Sequence, residues 1–179
     1  MQRLDLHSVP SDASSSDETD DGAYWATRRA AQQEKPANRD LVSRAIALLA
    51  RRDMSRAALI ARLLKDGFER QECESISRWC EACGFLDERR HAEGLARRLG
   101  SRYGVMRVSL GMRQKGVEDG AMSAALDGLR ATEVDRARSL VMRRFPEDAT
   151  GADVQARRYR FLRQRGFSGE VIHRALKAA

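Results

Sequence analysis

The segment Arg160-Phe-Leu-Arg-Gln-Arg-Gly-Phe167, near the end of this chain of 179 residues, decides the fold because its pattern occurs twice earlier. The two earlier versions are Leu63-Leu-Lys-Asp-Gly-Phe68 and Met112-Arg-Gln-Lys-Gly-Val117. Their three glycines, Gly67, Gly116 and Gly166, are 49 and 50 residues apart. A nearly constant period of this length usually means that one structural unit has been copied.

Apolar residues recur at helical spacing on both sides of each glycine. Around Gly166, for example, Leu162 stands four residues before and Ile172 six residues after. Glycine suits the position just past a helix end, where a left-handed conformation is easily adopted only without a β-carbon. A further amphipathic segment precedes each such pair of helices. The pattern therefore predicts an all-α protein of three tandem three-helix repeats, which form a short, elongated and curved solenoid.

The repeats are predicted to occupy residues 41–87, 88–132 and 133–179. Residues 1–40 carry 5 Lys/Arg and 8 Asp/Glu, whereas the rest of the chain carries 28 and 18. Within this first part, Ser11–Asp21 is polar and acidic, with too little apolar surface to offset the entropy of ordering. We therefore predict that residues 1–40 form a mostly disordered acidic tail.

Composition excludes several classes of protein. No uncharged run is longer than Gly120–Leu126, so no segment is expected to span a membrane. The N-terminus lacks the pattern of a signal peptide, and the three cysteines, confined to one predicted helix, do not resemble a secreted disulfide framework. We expect a cytoplasmic protein.

No residue pattern predicts catalysis. Cys80 and Cys83 have the spacing of a redox pair or of half a zinc site. A redox pair should open a helix after a strand, whereas this pair ends a predicted helix. A zinc site needs two further ligands, and His7, His91 and His173 form no spaced pair. With no nucleophile or phosphate-loop motif either, we expect no enzyme, no metal and no cofactor.

Several of these segments, taken in order, resemble the RecX family of regulatory proteins. Arg160–Phe167, followed by Glu170 and Ile172, is similar to the C-terminal signature of the family. The other matching segments are Ala45–Leu49, Ser55-Arg56-x-x-Leu59, Gly84-Phe-Leu-Asp87 followed by Ala92, and Gly104 followed by Arg107-Val108. The resemblance covers roughly residues 41–178.

The chain departs from the family pattern in two places. His91 stands where the family usually has an aromatic residue, and Ala58 stands where it usually has glutamate. Without that glutamate the capping box that starts at Ser55 is half complete, which weakens the start of the helix.

The resemblance implies a negative regulator of the bacterial recombinase RecA. Proteins of this family are tandem three-helix repeats that bind RecA–DNA filaments and suppress ATP hydrolysis, strand exchange and coprotease activity. They thereby modulate recombination, DNA repair and the SOS response. For this chain we expect the RecA filament as partner, single- or double-stranded DNA as a further ligand, and a monomeric state.

Charge is segregated by helix position in a way that suits such a partner. The predicted first helices of the repeats sum to +8 and the second helices to +9, whereas the third helices sum to −3. A stacked array would therefore present an extended basic surface to an acidic filament or to phosphates. The candidate binding residues belong to the middle repeat and are Arg97, Arg98, Arg102, Arg107, Arg113 and Lys115. Helical spacing predicts that Arg98 and Arg102 share one face.

A second set of residues is assigned to the structural motif. These are the glycines at predicted helix ends together with residues beside them: Gly67, Phe68, Gly84, Asp87, Gly104, Gly116, Gly166 and Phe167. Phe68, Val117 and Phe167 are each predicted to fill the space after the preceding glycine.

Two alternative functions stay open. Two helices joined by a glycine turn look like a helix-turn-helix, and three such units could follow a DNA groove. However, the first turns of the would-be recognition helices hold carboxylates, such as Glu69, Glu118 and Glu170, which repel phosphates. The second alternative is a generic helical scaffold for another partner, which the residue pattern without the resemblance does not exclude.

Overall fold

The computed structural model describes residue 36, residues 38–145 and residues 151–177, and within them the protein consists of nine α-helices and no strands. The predicted tail, apart from its last residues, lies outside the described part of the chain. The helices are α1 Arg39–Arg51, α2 Arg56–Lys65, α3 Arg70–Ala82, α4 Glu88–Gly100, α5 Val105–Gln114, α6 Asp119–Ala131, α7 Glu133–Arg144, α8 Ala152–Gln164 and α9 Gly169–Lys177. None of them is long and apolar enough to cross a membrane.

Four side chains among the described residues cap helix starts, as expected for short polar residues at this position. Asn38 Oδ1 accepts a hydrogen bond from the Leu41 backbone N–H at the start of α1. Ser55 Oγ accepts one from the Ala58 N–H at 3.1 Å in α2. Asp87 Oδ1 accepts one from the Arg90 N–H at 2.8 Å in α4. Ser168 Oγ accepts a hydrogen bond from the Val171 N–H at 3.2 Å at the start of α9.

The second helix of each repeat ends in the same glycine turn. Gly67, Gly116 and Gly166 have φ of +96°, +68° and +80°, the left-handed region in which glycine is favoured. The residue after each glycine donates its N–H to the carbonyl five residues back, as in a Schellman motif. These bonds are Phe68 to Leu63 at 3.3 Å, Val117 to Met112 at 3.1 Å and Phe167 to Leu162 at 3.3 Å.

Three separate clusters of buried side chains lie along the chain, one for each set of three helices. Leu59 and Ile76 belong to the first, Leu95 and Met112 to the second, and Phe167 to the third. The described chain is therefore an all-α array of three tandem three-helix repeats, which confirms the predicted fold class. We propose that the repeats have the boundaries drawn from the sequence.

One helix is shorter than predicted, and this moves a candidate residue. The shared face predicted for Arg98 and Arg102 requires the first helix of repeat 2 to include both residues, but α4 ends at Gly100. Gly100 is packed so tightly that a β-carbon there would lie 2.5 Å from Leu129 Cδ1. Arg102 lies in the turn that follows, so it does not continue the helical face of Arg98.

The residues after the glycines differ in burial. Phe167 is fully buried and Val117 is 6% exposed, whereas Phe68 is half-buried against its cluster.

We expect Phe167→Ala to lower the free energy of unfolding by about 3–5 kcal/mol, because it empties a fully enclosed site. Phe68→Ala removes the same atoms from a half-exposed site and should have a smaller effect. Urea denaturation of the two variants measures both values. Equal losses, or no loss for Phe167→Ala, would contradict the burial described here.

Candidate functional site

Consecutive repeats meet end to end at their second helices. At the first joint, the N-terminus of α2 contacts the C-terminal turn of α5, and Ser55 Oγ donates a hydrogen bond to the Lys115 carbonyl at 2.6 Å. At the second joint, the N-terminus of α5 contacts the C-terminal turn of α8, and the Gly104 N–H donates to the Arg165 carbonyl at 2.9 Å. In both joints the N-cap residue of a second helix, Ser55 or Gly104, donates the hydrogen bond. The acceptor is the carbonyl of the first residue after the second helix of the next repeat, Lys115 or Arg165.

A glutamate at the start of the next repeat completes each joint. Glu88, the first residue of α4, accepts a hydrogen bond from the Arg56 N–H at the start of α2. Glu133, the first residue of α7, accepts one from the Val105 N–H at the start of α5 at 2.8 Å. Burial raises the pKa of Glu88, although the N–H groups of Arg56 and Glu118 stabilise its ionised form. Each glutamate satisfies a backbone donor that a helix start leaves without a partner.

The side chain three residues after each glutamate also contacts the backbone of the preceding repeat. Arg136 donates hydrogen bonds to the Gly100 carbonyl at 2.6 Å and to the Tyr103 carbonyl at 3.0 Å. His91 occupies the corresponding position in α4 and hydrogen-bonds to the backbone of Asp53. Burial lowers the pKa of His91, so it is neutral at pH 7 and adds no charge to the joint.

The joints leave no room for a side chain at three of the motif glycines. A β-carbon on Gly116 would lie 2.7 Å from Ala57 Cβ, and one on Gly166 would lie 2.6 Å from Arg107 Cβ. On Gly104 it would lie 2.4 Å from the Gly166 carbonyl oxygen. By contrast, nothing lies within 4 Å of a β-carbon built on Gly67, because no other described repeat packs against its turn.

A cleft of about 550 Å³ opens across the first joint. From α2 it is lined by small side chains, Ala57, Ala58 and Ala61. It is also bordered by four cationic side chains from the adjoining segments, Arg52, Arg98, Arg113 and Lys115. Its carboxylate, Asp53, forms an ion pair with Arg90 at 2.9 Å. We call this the first cleft.

A cleft of about 540 Å³ occupies the corresponding place at the second joint. Here α5 contributes Met106 and Leu110, which are 58% and 56% exposed, and α8 contributes Arg163 and Gln164. Arg163-Gln164 corresponds in the repeat to Arg113-Gln114, which borders the first cleft. This second cleft therefore combines exposed apolar side chains with the cationic side chain of Arg163.

All six candidate binding residues are exposed, and among the described residues none forms an ion pair. The structure brings three of them together at the first cleft: Arg98, Arg113 and Lys115. Arg107 lies at the second cleft, and Arg102 and Arg107 both border a neighbouring depression. Arg97 lines none of these clefts.

Arg107 has a structural role as well. Its guanidinium donates a hydrogen bond to the Gln164 carbonyl at 2.9 Å and lies 4.7 Å from the centre of the Tyr103 ring. It therefore links repeats 2 and 3, and a substitution there would disturb the joint together with any binding.

Sequence reasoning did not select two cations that border the clefts. Arg52 follows the end of α1, and Arg163 belongs to repeat 3. The repeated sequence could have identified Arg163 as a candidate, because Arg163 aligns with Arg113 in the repeat.

The cysteines lie away from these clefts. Cys73, Cys80 and Cys83 are buried and form no disulfide within the described part of the chain, and Trp79 packs against the cluster that contains Cys73 and Cys80. Burial raises the pKa of Cys80 to about 12, so its thiol stays protonated and unreactive at pH 7. The described residues contain no group of three or more side chains arranged to hold a metal ion.

Comparison with known proteins gives the family. A regulatory protein RecX from Leptothrix cholodnii is 39% identical over 139 residues, which cover 78% of this chain and 88% of that protein. The chain belongs to the RecX family of regulatory proteins. A second RecX relative, from Herbaspirillum seropedicae, is 33% identical over 139 residues and is covered to 90% of its length.

Other comparisons agree with the RecX fold. The family model described as the third three-helix domain of RecX matches residues 131–176. The crystal structure of RecX from Lactobacillus salivarius has a TM-score of 0.68, with 18% identity, over 78% of this chain and 94% of that one. The agreement of fold extends beyond the third repeat.

Gly116→Ala should destabilise the protein more than Gly67→Ala. Both substitutions place alanine at positive φ, which costs roughly 1–2 kcal/mol, but at Gly116 the new methyl group also collides with Ala57. Thermal melting of the two variants compares them directly. Equal shifts in melting temperature would mean that the first joint is not formed in solution.

Proposed function

We propose that this RecX-family chain is a negative regulator of RecA, which binds RecA–DNA filaments and lowers their ATP hydrolysis, strand exchange and coprotease activity. Membership of a family of regulatory proteins supports the general role, and the resemblance of its sequence signatures supplies RecA as the partner. In the cell, this activity would modulate recombination, DNA repair and the SOS response. The protein acts in the cytoplasm as a monomer, by binding alone and without a cofactor.

The observation that carries this proposal is the group of cations at the first cleft. Arg98 and Arg113 come from different helices, yet they border one cleft and form no ion pair with the described carboxylates. Like charges brought together repel one another unless an anionic partner offsets them. A filament that carries DNA phosphates and acidic side chains supplies such a partner.

The second cleft favours a protein component in the contact. Met106 and Leu110 are exposed beside Arg163, and apolar side chains gain little from contact with phosphates. Apolar surface rimmed by cations is typical of a surface that binds another protein. The filament offers protein surface and phosphates side by side, whereas free DNA offers only one of them.

The double variant Arg98→Glu/Arg113→Glu should lose inhibition of DNA-dependent ATP hydrolysis by RecA. Each reversal replaces an attraction by a repulsion, so the concentration for half inhibition should rise about tenfold or more, which corresponds to about 1.4 kcal/mol. Both side chains are exposed and unpaired among the described residues, so the melting temperature should change little.

The matched control is Arg78→Glu/Lys177→Glu, which makes the same change of charge on the third helices α3 and α9. Both control side chains are exposed and border neither cleft. The control variant should inhibit like the unmodified protein, which is added well below the RecA concentration. Equal inhibition by both variants would move the contact away from the first cleft, and absence of inhibition by the unmodified protein would refute the proposed function.

Salt dependence separates the two kinds of contact within the filament. If the cations contact phosphates, each lost charge should flatten the log–log salt slope of binding by about 0.7–0.9. If they contact acidic side chains of RecA, free DNA should compete poorly with the filament.

A further inference from the structure

The first cleft brings four cationic side chains together with no unpaired carboxylate. Its four cationic side chains form no ion pair with the described residues, and its Asp53 is already paired with Arg90. Elsewhere in the same repeats cations are neutralised within the fold, for example Arg56 by Glu81 and Glu118. The first cleft is therefore built to hold an acidic ligand.

The shape of the first cleft suits an extended peptide. Ala57 and Ala61 of α2 line the first cleft. At the corresponding positions of α5, Met106 and Leu110 line the second cleft. Methyl groups leave space for a main chain to lie along α2, with its side chains directed toward the surrounding cations. Long apolar side chains at the corresponding positions of the second cleft would obstruct the same path.

The chain itself contains a segment of complementary charge. Ser11–Asp21 has no Lys or Arg and has five carboxylates, Asp12, Asp17, Glu18, Asp20 and Asp21. It is the densest acidic stretch of the sequence, and its short serine and aspartate side chains match a cleft lined by alanine.

The segment is also close enough along the chain. Residues 22–38, which connect it to α1, can span up to about 60 Å when extended. Helix α1 has 13 residues and is therefore about 20 Å long, and Arg52 at the cleft directly follows it. Attachment in the same chain raises the effective concentration of the segment at the cleft.

We propose that the first cleft binds the acidic segment Ser11–Asp21 of the same chain. The segment occupies the place of an acidic partner and keeps the cations of Arg98 and Arg113 covered until that partner displaces it. This second consequence rests on the proposed function, whereas binding of the segment to the cleft does not.

A spin label on the full-length chain tests the contact without RecA. Ser14→Cys provides the labelling site, because Cys73, Cys80 and Cys83 are buried. The label should weaken the amide NMR signals of Ala57, Gly94 and Gly116 by about twofold or more through proximity. About 0.5 M salt, where the Debye length is about 4 Å, should restore these signals.

Two further variants, each with the label in place, test the chemistry. Replacing the five carboxylates of the segment by Asn or Gln should restore the signals, and so should Arg98→Ala/Arg113→Ala. The matched control Arg78→Ala/Lys177→Ala should leave the signals weakened. Unweakened cleft signals, weakening that persists after the carboxylates are neutralised, or weakening centred on the second cleft would each overturn the proposed contact.

The effect on inhibition is measured separately. If the segment occupies the cleft half of the time, its neutralisation should lower the concentration needed for half inhibition of RecA by about twofold. Because the NMR experiment contains no RecA, its failure leaves the proposed function standing, and failure of RecA inhibition leaves the intramolecular contact standing. Unchanged inhibition by a variant whose cleft signals are restored would overturn the covering role of the segment.

Discussion

The repeats are held in register by a bond between two helix ends. Every α-helix leaves carbonyl groups without a partner at its C-terminus and N–H groups without a partner at its N-terminus. At each joint the start of one second helix donates a hydrogen bond to a carbonyl in the turn that ends the second helix of the next repeat. The accepting carbonyls belong to Lys115 and Arg165. Because the three buried clusters are separate, contacts of this kind fix the direction of the array.

The same arrangement aligns the dipoles of α8, α5 and α2. In each pair, the partly negative C-terminal end of one helix meets the partly positive N-terminal end of the other, which is a favourable orientation. Glu88 and Glu133 then add a carboxylate to each helix start, where negative charge is also favourable. The helix ends at the joints thus meet with opposite partial charges, and the exposed candidate cations beside them form no ion pair with the described carboxylates.

The sequence was sufficient for the features that depend on neighbours in the chain. The cap at Ser55, the positive φ of Gly116 and Gly166 and the burial of Phe167 all follow from local spacing, and the structure has each of them. The roles of Glu88 and Glu133 did not follow, because their partners Arg56 and Val105 lie 32 and 28 residues away in sequence. In a capping box a carboxylate at residue 58 would accept from the Ser55 N–H, whereas here a carboxylate of the next repeat accepts from the neighbouring Arg56 N–H.

The sequence named six cationic residues as candidates but did not predict which of them line the same cleft. Counting charge by helix position selected the layers of helices that contain Arg98 and Arg113, but the summed charge of a helix does not tell which side chains meet across a joint. Arg102 was assigned to a helical face because the spacing of residues does not reveal that α4 ends at Gly100. Arg107 was selected for its charge, although its hydrogen bond to Gln164 depends on the stacking of repeats.

The position of the first cleft links occupancy to stiffness. Its walls belong to two repeats whose cores are separate, so a ligand that touches Ala57 on one side and Arg98 on the other bridges bodies joined at their ends. Such a ligand contacts both repeats only while the joint is formed, so by thermodynamic linkage it must stabilise the joint in return. Occupancy of this cleft and the stability of the joint between repeats 1 and 2 are therefore thermodynamically coupled.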